Sequence, residues 1–365
     1  MPKVLLKEVV ERIKDKVDKD NTHLKYYIGG EHFDYGEVCV TKRALIEGST
    51  IGPAFHMRFM PGDVLLMSRN PHLRKSGVVD FEGLCSDVSY VCRTKNEGIL
   101  MQSYLPFIFQ TDHFWDFAEQ NKHGSTNYFL NWTDFEKYEF ELPTIEIQKE
   151  LVKVLWEAQK LKMGYQKMLL ATDELVKSQF IEMTQGAETT RLSDICCSYG
   201  RGKTPKYVTS SNVRVINQAC IYWDHFKLQN VKYHNPELFK EENKLILGDV
   251  LLNSTGTGTI GRAIVFDIED DNYYMTDSHV TILRPNNKKI HPVVLKYYFY
   301  DDNVQSELYR LCVFGSTSQA ELSREALGRM RVPVIDSRKQ EAFVEVVKQT
   351  DKSKYHEMKG GELCA

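Results

Sequence analysis

An internal repeat constrains this chain more than any single residue does. The segment Gly-Asp-Val-Leu-Leu at 62–66 recurs at 248–252, and the Gly-Ser-Thr triplet at 124–126 recurs at 315–317, about 190 positions later. Two copies of one domain are the simplest explanation, because a repeat at a fixed period marks a repeated structural unit. A tandem duplication predicts a protein that recognises two related targets. Further pairs keep nearly the same separation: Asp87 with Asp277, Leu142-Pro143 with Val332-Pro333, and Gln148 with Gln340.

The composition excludes several classes of protein. The length of 365 residues predicts two or three domains of roughly 100–200 residues each. No stretch approaches the ~18 uninterrupted apolar residues of a membrane span, and the first residues lack the apolar core of a signal peptide. We therefore expect no membrane partner and a cytoplasmic location. The eight cysteines include no Cys-x-x-Cys pair, which predicts buried free thiols rather than a zinc site or a disulfide framework.

The charge balance is more informative locally than overall. A net charge of −3 is less positive than expected for a nucleic-acid-binding protein, whose affinity comes largely from neutralised phosphates. Between 191 and 214, however, five Lys or Arg stand against one acid, and between 67 and 76 three stand against none. Both stretches fall within the repeated domains. They are candidate phosphate-binding surfaces, and an ordinary solvated surface is the alternative.

Each repeat is predicted to be mainly β, which makes the fold class α+β. Short apolar runs bounded by Gly, Asn, Asp or Pro are typical of strands and turns. Helical patterns at 5–17, 113–120 and 293–311 are predicted between these strands. The predicted organisation has two repeated, mainly β domains and two long helices: domain 1 at 1–144, a central helix at 145–185, domain 2 at 186–335 and a short C-terminal helix at 336–365.

The segment 145–183 differs because its apolar residues are spaced alternately three and four apart. This spacing places one mostly apolar seam along a single long helix. At ~1.5 Å per residue the helix is about 60 Å long, too long to be packed inside one small domain. The seam is therefore expected to pack against another helix. It consists of Leu151, Val154, Ala158, Leu161, Tyr165, Met168, Thr172 and Leu175.

A second helix is predicted after Asp336 and Ser337. Gln340 would complete a capping box, Phe343 would begin the apolar face, and the glycine pair at 360–361 would end the helix. An antiparallel coiled coil of the two helices would hold the domains at a fixed distance. The alternative is a helix that only links the domains along their surface.

Three short motifs resemble cofactor or catalytic sites but lack a required part. Gly-Arg-Gly-Lys-Thr at 200–204 has no first P-loop glycine, and Pro205 blocks the helix that would hold a phosphate. Gly-Thr-Gly-Thr-Ile-Gly at 256–261 precedes a β-rich segment instead of the helix of a dinucleotide site, which favours a flexible hairpin tip. Asn-Pro-His-Leu at 70–73 lacks the second proline and the aromatic residue of an amino methyltransferase.

The order of the repeated motifs resembles the DNA-specificity subunit of type I restriction–modification systems along nearly the whole chain. The second repeat carries the resemblance best, whereas the first keeps a weaker subset and has no Gly-x-Thr-Pro loop. The second helix is also markedly shorter than the first. The matching segments of the second repeat are Leu-Ser-Asp-Ile at 192–195, Gly-Lys-Thr-Pro at 202–205, the segment at 248–252, Thr-Ile-Gly at 259–261, Gly-Ser-Thr at 315–317, and Val-Pro at 332–333 before Gln340-Glu341.

The resemblance implies a non-catalytic protein with two target recognition domains, each of which reads half of a split site in double-stranded DNA. It implies that the long helices set the spacing and that the chain binds two methyltransferase subunits and restriction (translocase) subunits. S-adenosylmethionine, ATP and Mg²⁺ are then expected in those partners, and no cofactor in this chain. The alternatives are a stand-alone nuclease or methyltransferase, and a duplicated protein-interaction module that does not bind DNA.

Candidate DNA contacts are the polar and basic side chains near predicted strand ends, because such groups read phosphates and base edges. Fewer than half are expected to touch DNA, since each also has an ordinary structural explanation. The nuclease-like triplet at 242–244, with Asp224 upstream, has no equivalent in the first repeat, so neither catalytic nor metal-binding residues are predicted. The candidates are Arg69, Arg74, Lys75, Ser125 and Thr126 in the first repeat, and Arg201, Lys203, Thr204, Lys206, Gln218, Asn253, Thr255, Thr257, Arg262, Ser316, Thr317 and Gln319 in the second.

Overall fold

The computed structural model describes residues 2–315 and 320–362, with side chains described as far as Thr350. The chain divides into two compact units, Met1–Tyr165 and Gln166–Ala365. Each unit combines small β-sheets with helices, which confirms the predicted α+β class of two repeated domains. The candidate contacts Ser316, Thr317 and Gln319 lie outside the described residues.

Unit 1 contains three small sheets, in the orders β1-β10, β2-β9-β6-β7 and β4-β3-β8-β5. Its described strands are β1 (Lys3–Leu5), β2 (Val10–Ile13), β3 (Tyr26–Ile28), β4 (Ala44–Leu45), β5 (Phe55–Phe59), β6 (Val64–Met67), β7 (Ser76–Val78), β8 (Gly83–Ser86), β9 (Ser89–Thr94) and β10 (Glu139–Glu141). Its described helices are α1 (Leu6–Val9), α2 (Leu105–Ile108), α3 (Asp112–Gln120), α4 (Trp132–Phe135) and the first part of α5 (Ile145–Thr184).

Unit 2 contains sheets in the orders β11-β22, β12-β19-β16-β17, β13-β15-β14-β18 and β20-β21. Its described strands are β11 (Thr189–Arg191), β12 (Cys196–Arg201), β13 (Tyr207–Val208), β14 (Val213–Ile216), β15 (Lys232–His234), β16 (Val250–Asn253), β17 (Ala263–Val265), β18 (Tyr273–Thr276), β19 (Val280–Pro285), β20 (Val313–Phe314), β21 (Glu321–Leu322) and β22 (Arg331–Pro333). Its other described helices are α6 (Leu192–Ile195), α7 (Pro292–Tyr300), α8 (Asp302–Cys312), α9 (Arg324–Arg329) and α10 (Ser337–Glu362).

The two units share most of their topology. The sheet β2-β9-β6-β7 has the same antiparallel order as β12-β19-β16-β17. In the other four-stranded sheets, β3 runs parallel to β8 and β14 runs parallel to β18. The first and last strands also pair in both units, β1 with β10 and β11 with β22. The sequence repeat is therefore a repeat of the fold.

The Gly-Asp-Val-Leu-Leu repeat builds the same turn and buried ion pair in each unit. Gly248 adopts a left-handed φ of 89°, which a side chain would strain. The buried carboxylate of Asp249 accepts from the Ile246 amide at 3.0 Å and from Arg284 at 2.7 and 2.8 Å. The following Val-Leu-Leu residues form the fully buried strand β16. In unit 1, Gly62 has the left-handed φ, and the Asp63 carboxylate accepts from the Met60 amide and from Arg93.

A buried glutamine fixes each long helix to the unit that precedes it. Gln148 donates to the carbonyls of Ile99 and Pro143 at 2.8 Å each and accepts from the Met101 amide at 3.0 Å. Gln340 repeats the arrangement. It donates to Lys289 and Ile335 carbonyls and accepts from the His291 amide. The predicted capping-box role of Gln340 is therefore wrong, because its side-chain oxygen accepts from the His291 amide and not from an amide at the start of its own helix.

Three predicted helix boundaries are corrected. Residues 5–17 form β1, a short α1 and β2, because backbone pairing with β10 and β9 overrides the helical pattern. The predicted helix at 293–311 is two helices, since the Asp301 side chain accepts from the amides of Asn303 and Val304 and begins α8 there. The glycine pair at 360–361 does not end α10, which continues to Glu362.

The predicted seam of α5 is not the face that packs. Val154 is 66% exposed and Leu161 is 63% exposed. The packing face is shifted around the helix: Trp156 donates to the Ser103 carbonyl at 3.0 Å in unit 1, and Phe180 packs on Phe343 of α10 in unit 2. The spacing of the apolar residues identified one apolar face of α5. In the structure, a different face of the same helix makes the packing contacts. The antiparallel coiled coil stays a prediction.

Two further expectations can be compared with the structure. Within residues 2–315 and 320–362, no helix has the length and apolarity that crossing a membrane requires. The described cysteines are free thiols, as predicted, but burial is uneven: Cys85, Cys92, Cys220 and Cys312 are buried, whereas Cys197 is exposed.

The ion pair of Asp249 with Arg284 gives a stability prediction. Asp249→Asn should lower the free energy of unfolding of unit 2 by about 1–3 kcal/mol, because the fully buried side chain loses its charge-assisted hydrogen bonds with the partly exposed Arg284 guanidinium. Glu325→Gln, which breaks the exposed pair with Arg329, is the matched control and should change it by less than about 1 kcal/mol. Urea denaturation of both variants measures the difference. Equal stability of Asp249→Asn and wild type would contradict the role of this pair.

Candidate nucleic-acid interface

The candidate residues of unit 2 gather at one edge of the sheet β12-β19-β16-β17. Strands β12 and β16 end there and β19 begins there, since Arg201 pairs with Thr281 and Asn253 with Val280. The β16–β17 loop at 254–262 and the β20–β21 hairpin meet at the same place, where the Leu322 amide donates to the Ser254 carbonyl at 2.9 Å. We call this place the loop edge of unit 2.

A hydrogen-bond network organises the middle of this loop edge. The Thr255 hydroxyl donates to Oε1 of Gln218 at 3.0 Å and lies 2.9 Å from Nδ1 of His279. Because the hydroxyl has one proton, the His279 ring has to donate from Nδ1, which leaves Nε2 of the neutral ring as an acceptor. His279 is exposed, whereas Thr255 is buried. Its neighbour Asp277 accepts from the His279 amide, and burial raises the pKa of the Asp277 carboxyl.

Asn253 lies beneath this network. Its side chain is fully buried, and its amide donates to the Gln218 carbonyl at 3.2 Å. A buried amide in this arrangement does not present itself to a base edge. We therefore replace the predicted role of Asn253 in base reading with a positioning role, in which it holds Gln218 and the β16–β17 loop together.

The Gly-x-Thr-Pro loop leaves β12 at the same edge and presents basic side chains. Gly202 is required there because a Cβ would come within 2.4 Å of the Thr276 and Asp277 carbonyl oxygens. Lys203, Thr204 and Lys206 are exposed. Arg201 is different, because its guanidinium pairs with Glu321 at 3.1 Å and donates to the Leu322 carbonyl at 3.0 Å. It ties β12 to the hairpin β20–β21.

An aromatic and basic cluster adjoins the β16–β17 loop. The Arg262 guanidinium lies 5.0 Å from the ring centre of Tyr222, and the Lys227 ammonium lies 4.1 Å from it. Hydrogen bonding and charge from Lys227, together with Arg262, lower the pKa of the Tyr222 phenol. His225 stacks on the same ring at 5.1 Å. The cluster combines two cations with aromatic faces, which suits contact with a nucleic-acid backbone and its bases.

Unit 1 has an equivalent loop edge where β2 and β6 end and β9 begins. The β6–β7 loop at 68–75 meets a turn at 123–129, and the Leu130 amide donates to the Ser68 carbonyl at 2.9 Å, as Leu322 does to Ser254 in unit 2. Ser125 and Thr126 are exposed at the tip of that turn. Gly124 and Gly315, the first residues of the repeated triplet, both have left-handed φ values, of 92° and 97°.

Two of the three basic candidate residues of unit 1 have partners within the unit. The Arg74 guanidinium pairs with Asp112, and the Lys75 ammonium donates to the Gly30 carbonyl at 2.7 Å. Arg69 is exposed beside the ring of Phe129, at 5.3 Å. Arg69 and the two residues of the Gly-Ser-Thr tip are thus the outward-facing candidates of this unit.

The sequence pointed to the right loops but missed some residues within them. Thr257 is exposed and Arg262 half-buried in the β16–β17 loop, and Gln218 is brought to it from the end of β14. Tyr222 and His279 were not predicted. The dense mixture of aromatic and charged residues at 222–227 is a weak sequence signal for Tyr222. The position of His279, two residues after the repeated Asp277, is a weak signal for His279.

The nuclease-like triplet does not assemble into a metal site. Glu242 lines a cavity of about 190 Å³ with Arg201 and Lys203, and Asp224 is not part of that lining. Asp224 instead contacts the His225 ring at 2.8 Å. Among the residues that the structure describes, no three His, Cys, Asp or Glu side chains come together as metal ligands.

Comparison with known proteins identifies the fold. No protein-family model matches the sequence, and no curated protein matches it either. The S subunit of the type I restriction–modification system from M. genitalium superposes with a TM-score of 0.59 at 11% identity, covering 98% of this chain and 91% of that one. A chain from a structure of type I restriction–modification complex assembly and conformational transition gives a TM-score of 0.53 at 16% identity, covering 98% and 93%. This chain therefore has the fold of a type I S subunit over nearly its whole length.

Burial separates positioning residues from surface residues at the loop edge of unit 2. Asn253→Ala should lower the melting temperature by several degrees, because it removes a fully buried side chain together with its hydrogen bond to the Gln218 carbonyl, at a cost of about 1–3 kcal/mol. Lys203→Ala, at an exposed position, is the control and should leave the melting temperature unchanged. Thermal denaturation followed by circular dichroism tests both. An unchanged melting temperature for Asn253→Ala would contradict the positioning role.

Proposed function

We propose that this protein is the DNA-specificity subunit of a type I restriction–modification complex. Each unit reads one half of a bipartite target in double-stranded DNA through its loop edge. The chain itself is non-catalytic and acts in the cytoplasm. It positions two methyltransferase subunits and the restriction subunits, which supply S-adenosylmethionine, ATP and Mg²⁺ chemistry.

The observation that carries this proposal is the duplication of the loop edge on a fold that matches S subunits along 98% of the chain. Two copies of one recognition surface suit a target with two halves. At the loop edge of unit 2, Lys203, Lys206 and the cluster around Tyr222 supply positive charge, which neutralises phosphates. Gln218, Thr257 and His279 supply hydrogen-bonding groups that suit base edges.

The exposed seam of α5 supports the proposed binding of methyltransferase subunits. An apolar stripe at coiled-coil spacing normally packs against another helix, and a soluble protein rarely leaves a long one exposed. Val154 and Leu161 lie one heptad apart on this stripe and are both more than 60% exposed. We assign the seam to a helix of a methyltransferase subunit, since the similar S subunit fold belongs to a complex of several subunits.

The DNA proposal is tested by salt-dependent binding. Lys203→Ala/Lys206→Ala should weaken binding to duplexes of any sequence, because phosphate contacts carry no sequence information. The slope of log affinity against log salt should become shallower by roughly 0.9 for each phosphate that the variant no longer neutralises. Lys288→Ala/Lys339→Ala removes the same charge from exposed positions outside the loop edge and is the control. Wild-type binding that does not weaken as salt rises would contradict DNA recognition altogether.

The seam proposal is tested by co-purification. Val154→Asp/Leu161→Asp should abolish co-elution with a methyltransferase subunit of a type I system from the same organism, because two charges in an apolar helix interface are strongly unfavourable. The variant should still bind DNA, since the loop edges are unchanged. Lys167→Asp, on the same helix but off the seam, is the control and should co-elute normally. Normal co-elution of the double variant would show that the methyltransferase binds elsewhere.

A further inference from the structure

The β6–β7 loop of unit 1 contains a strained turn. Asn70 and Arg74 adopt left-handed φ values of 52° and 46°, and no other non-glycine residue does so within 2–315 and 320–362. They flank a short 3-10 turn, Pro71–Leu73. Left-handed backbone is unfavourable for residues with a Cβ, less so for asparagine than for arginine, so the strain is greatest at Arg74. Such strain concentrates at functional sites where the surrounding structure enforces it.

The surrounding structure enforces this turn from both sides. The Asn70 amide donates to the Tyr128 carbonyl at 2.8 Å, and the ring of Pro71 is buried. On the other side, the Arg74 amide donates to the Pro71 carbonyl at 2.8 Å and its guanidinium pairs with Asp112. These contacts hold the turn rigidly in this conformation.

The rigid turn presents two side chains outward at the loop edge. His72 is exposed at its centre, and Arg69 is exposed just before it with its guanidinium beside the Phe129 ring. The equivalent loop of unit 2 is different, because Gly256, Gly258 and Gly261 supply its left-handed positions without strain. The loop of unit 1 therefore has residues with side chains at its left-handed positions, whereas the loop of unit 2 has glycines at its own.

We propose that the turn at 69–74 is the base-reading element of unit 1, with His72 and Arg69 donating to a purine in the major groove. This inference rests on the proposed function and deepens it by naming the ligand as the N7 edge of a purine, with O6 where the base is guanine. A major groove about 12 Å wide admits a turn of this size, and Arg paired with guanine is the commonest specific contact there. The motif at 70–73 thus serves recognition instead of methyl transfer.

The test selects preferred targets from a randomised duplex library and reads them by sequencing. His72→Ala should lose the preference at one position of one half-site, with specific affinity falling about tenfold and affinity for non-specific DNA unchanged. His23→Ala, at an exposed histidine of the same unit, is the matched control and should keep every preference. Arg262→Ala in unit 2 should weaken the base preference in the other half-site only. The two variants together then show which unit reads which half-site.

A second variant separates strain from contacts. Asn70→Gly should change the melting temperature by less than about 2 °C, because asparagine and glycine both tolerate the left-handed conformation, and should weaken the same half-site preference by loosening the turn. Unchanged preferences in both His72→Ala and Asn70→Gly would overturn the role of the turn while leaving the proposed function intact. A wild-type chain that selects no sequence at all would overturn both.

Discussion

The buried ion pair after each Gly-Asp turn is the constraint on which both units depend. In unit 2 the Asp249 carboxylate is fully buried and is satisfied by the Ile246 amide and by two hydrogen bonds from Arg284. This arrangement closes the turn before β16 and ties that strand to β19 at one end of the sheet. Because the far ends of the same two strands carry the loop edge, the ion pair holds the strands that support the loop edge from the opposite end of the sheet. Unit 1 is built in the same way around Asp63 and Arg93.

A buried glutamine near the start of each long helix fixes the orientation of that helix on its unit. Gln148 and Gln340 each have two amide donors and one acceptor satisfied by backbone groups of the unit that the helix leaves. A buried polar group that is fully satisfied specifies one arrangement, because any other leaves hydrogen bonds unmade. Each helix therefore leaves its unit in a defined direction.

The two loop edges share backbone contacts and differ in their side chains. Shared backbone contacts, such as the amide of Leu130 or Leu322 donating to Ser68 or Ser254, fix where the loops meet. The side chains then diverge. Unit 2 combines a glycine-rich loop with the cluster around Tyr222, and unit 1 has the strained turn with Arg69 and His72. A shared backbone with divergent side chains is the pattern expected when each copy reads a different sequence.

The sequence could predict the features that are local or repeated. The repeat itself, the α+β class, the long helix after each unit, the hairpin at 256–261 and the absence of a P-loop helix after Pro205 all follow from spacing and from residues with strong backbone preferences. The likeness to S subunits also followed from the order of motifs. These features are encoded over a few residues each, so they can be recognised before any tertiary contact is known.

Tertiary structure alone decided which side chains are buried. Asn253 ends β16 and Thr257 lies four positions later in the loop that follows, yet the first is buried under Gln218 and the second is exposed. The same holds for α5, where two apolar faces exist and contacts with Ser103 and Phe343 select one of them. The strands at 3–5 and 10–13 form because of partners about 80 to 140 residues away. Burial and strand pairing depend on what distant segments bring into contact, and a local pattern does not contain that information.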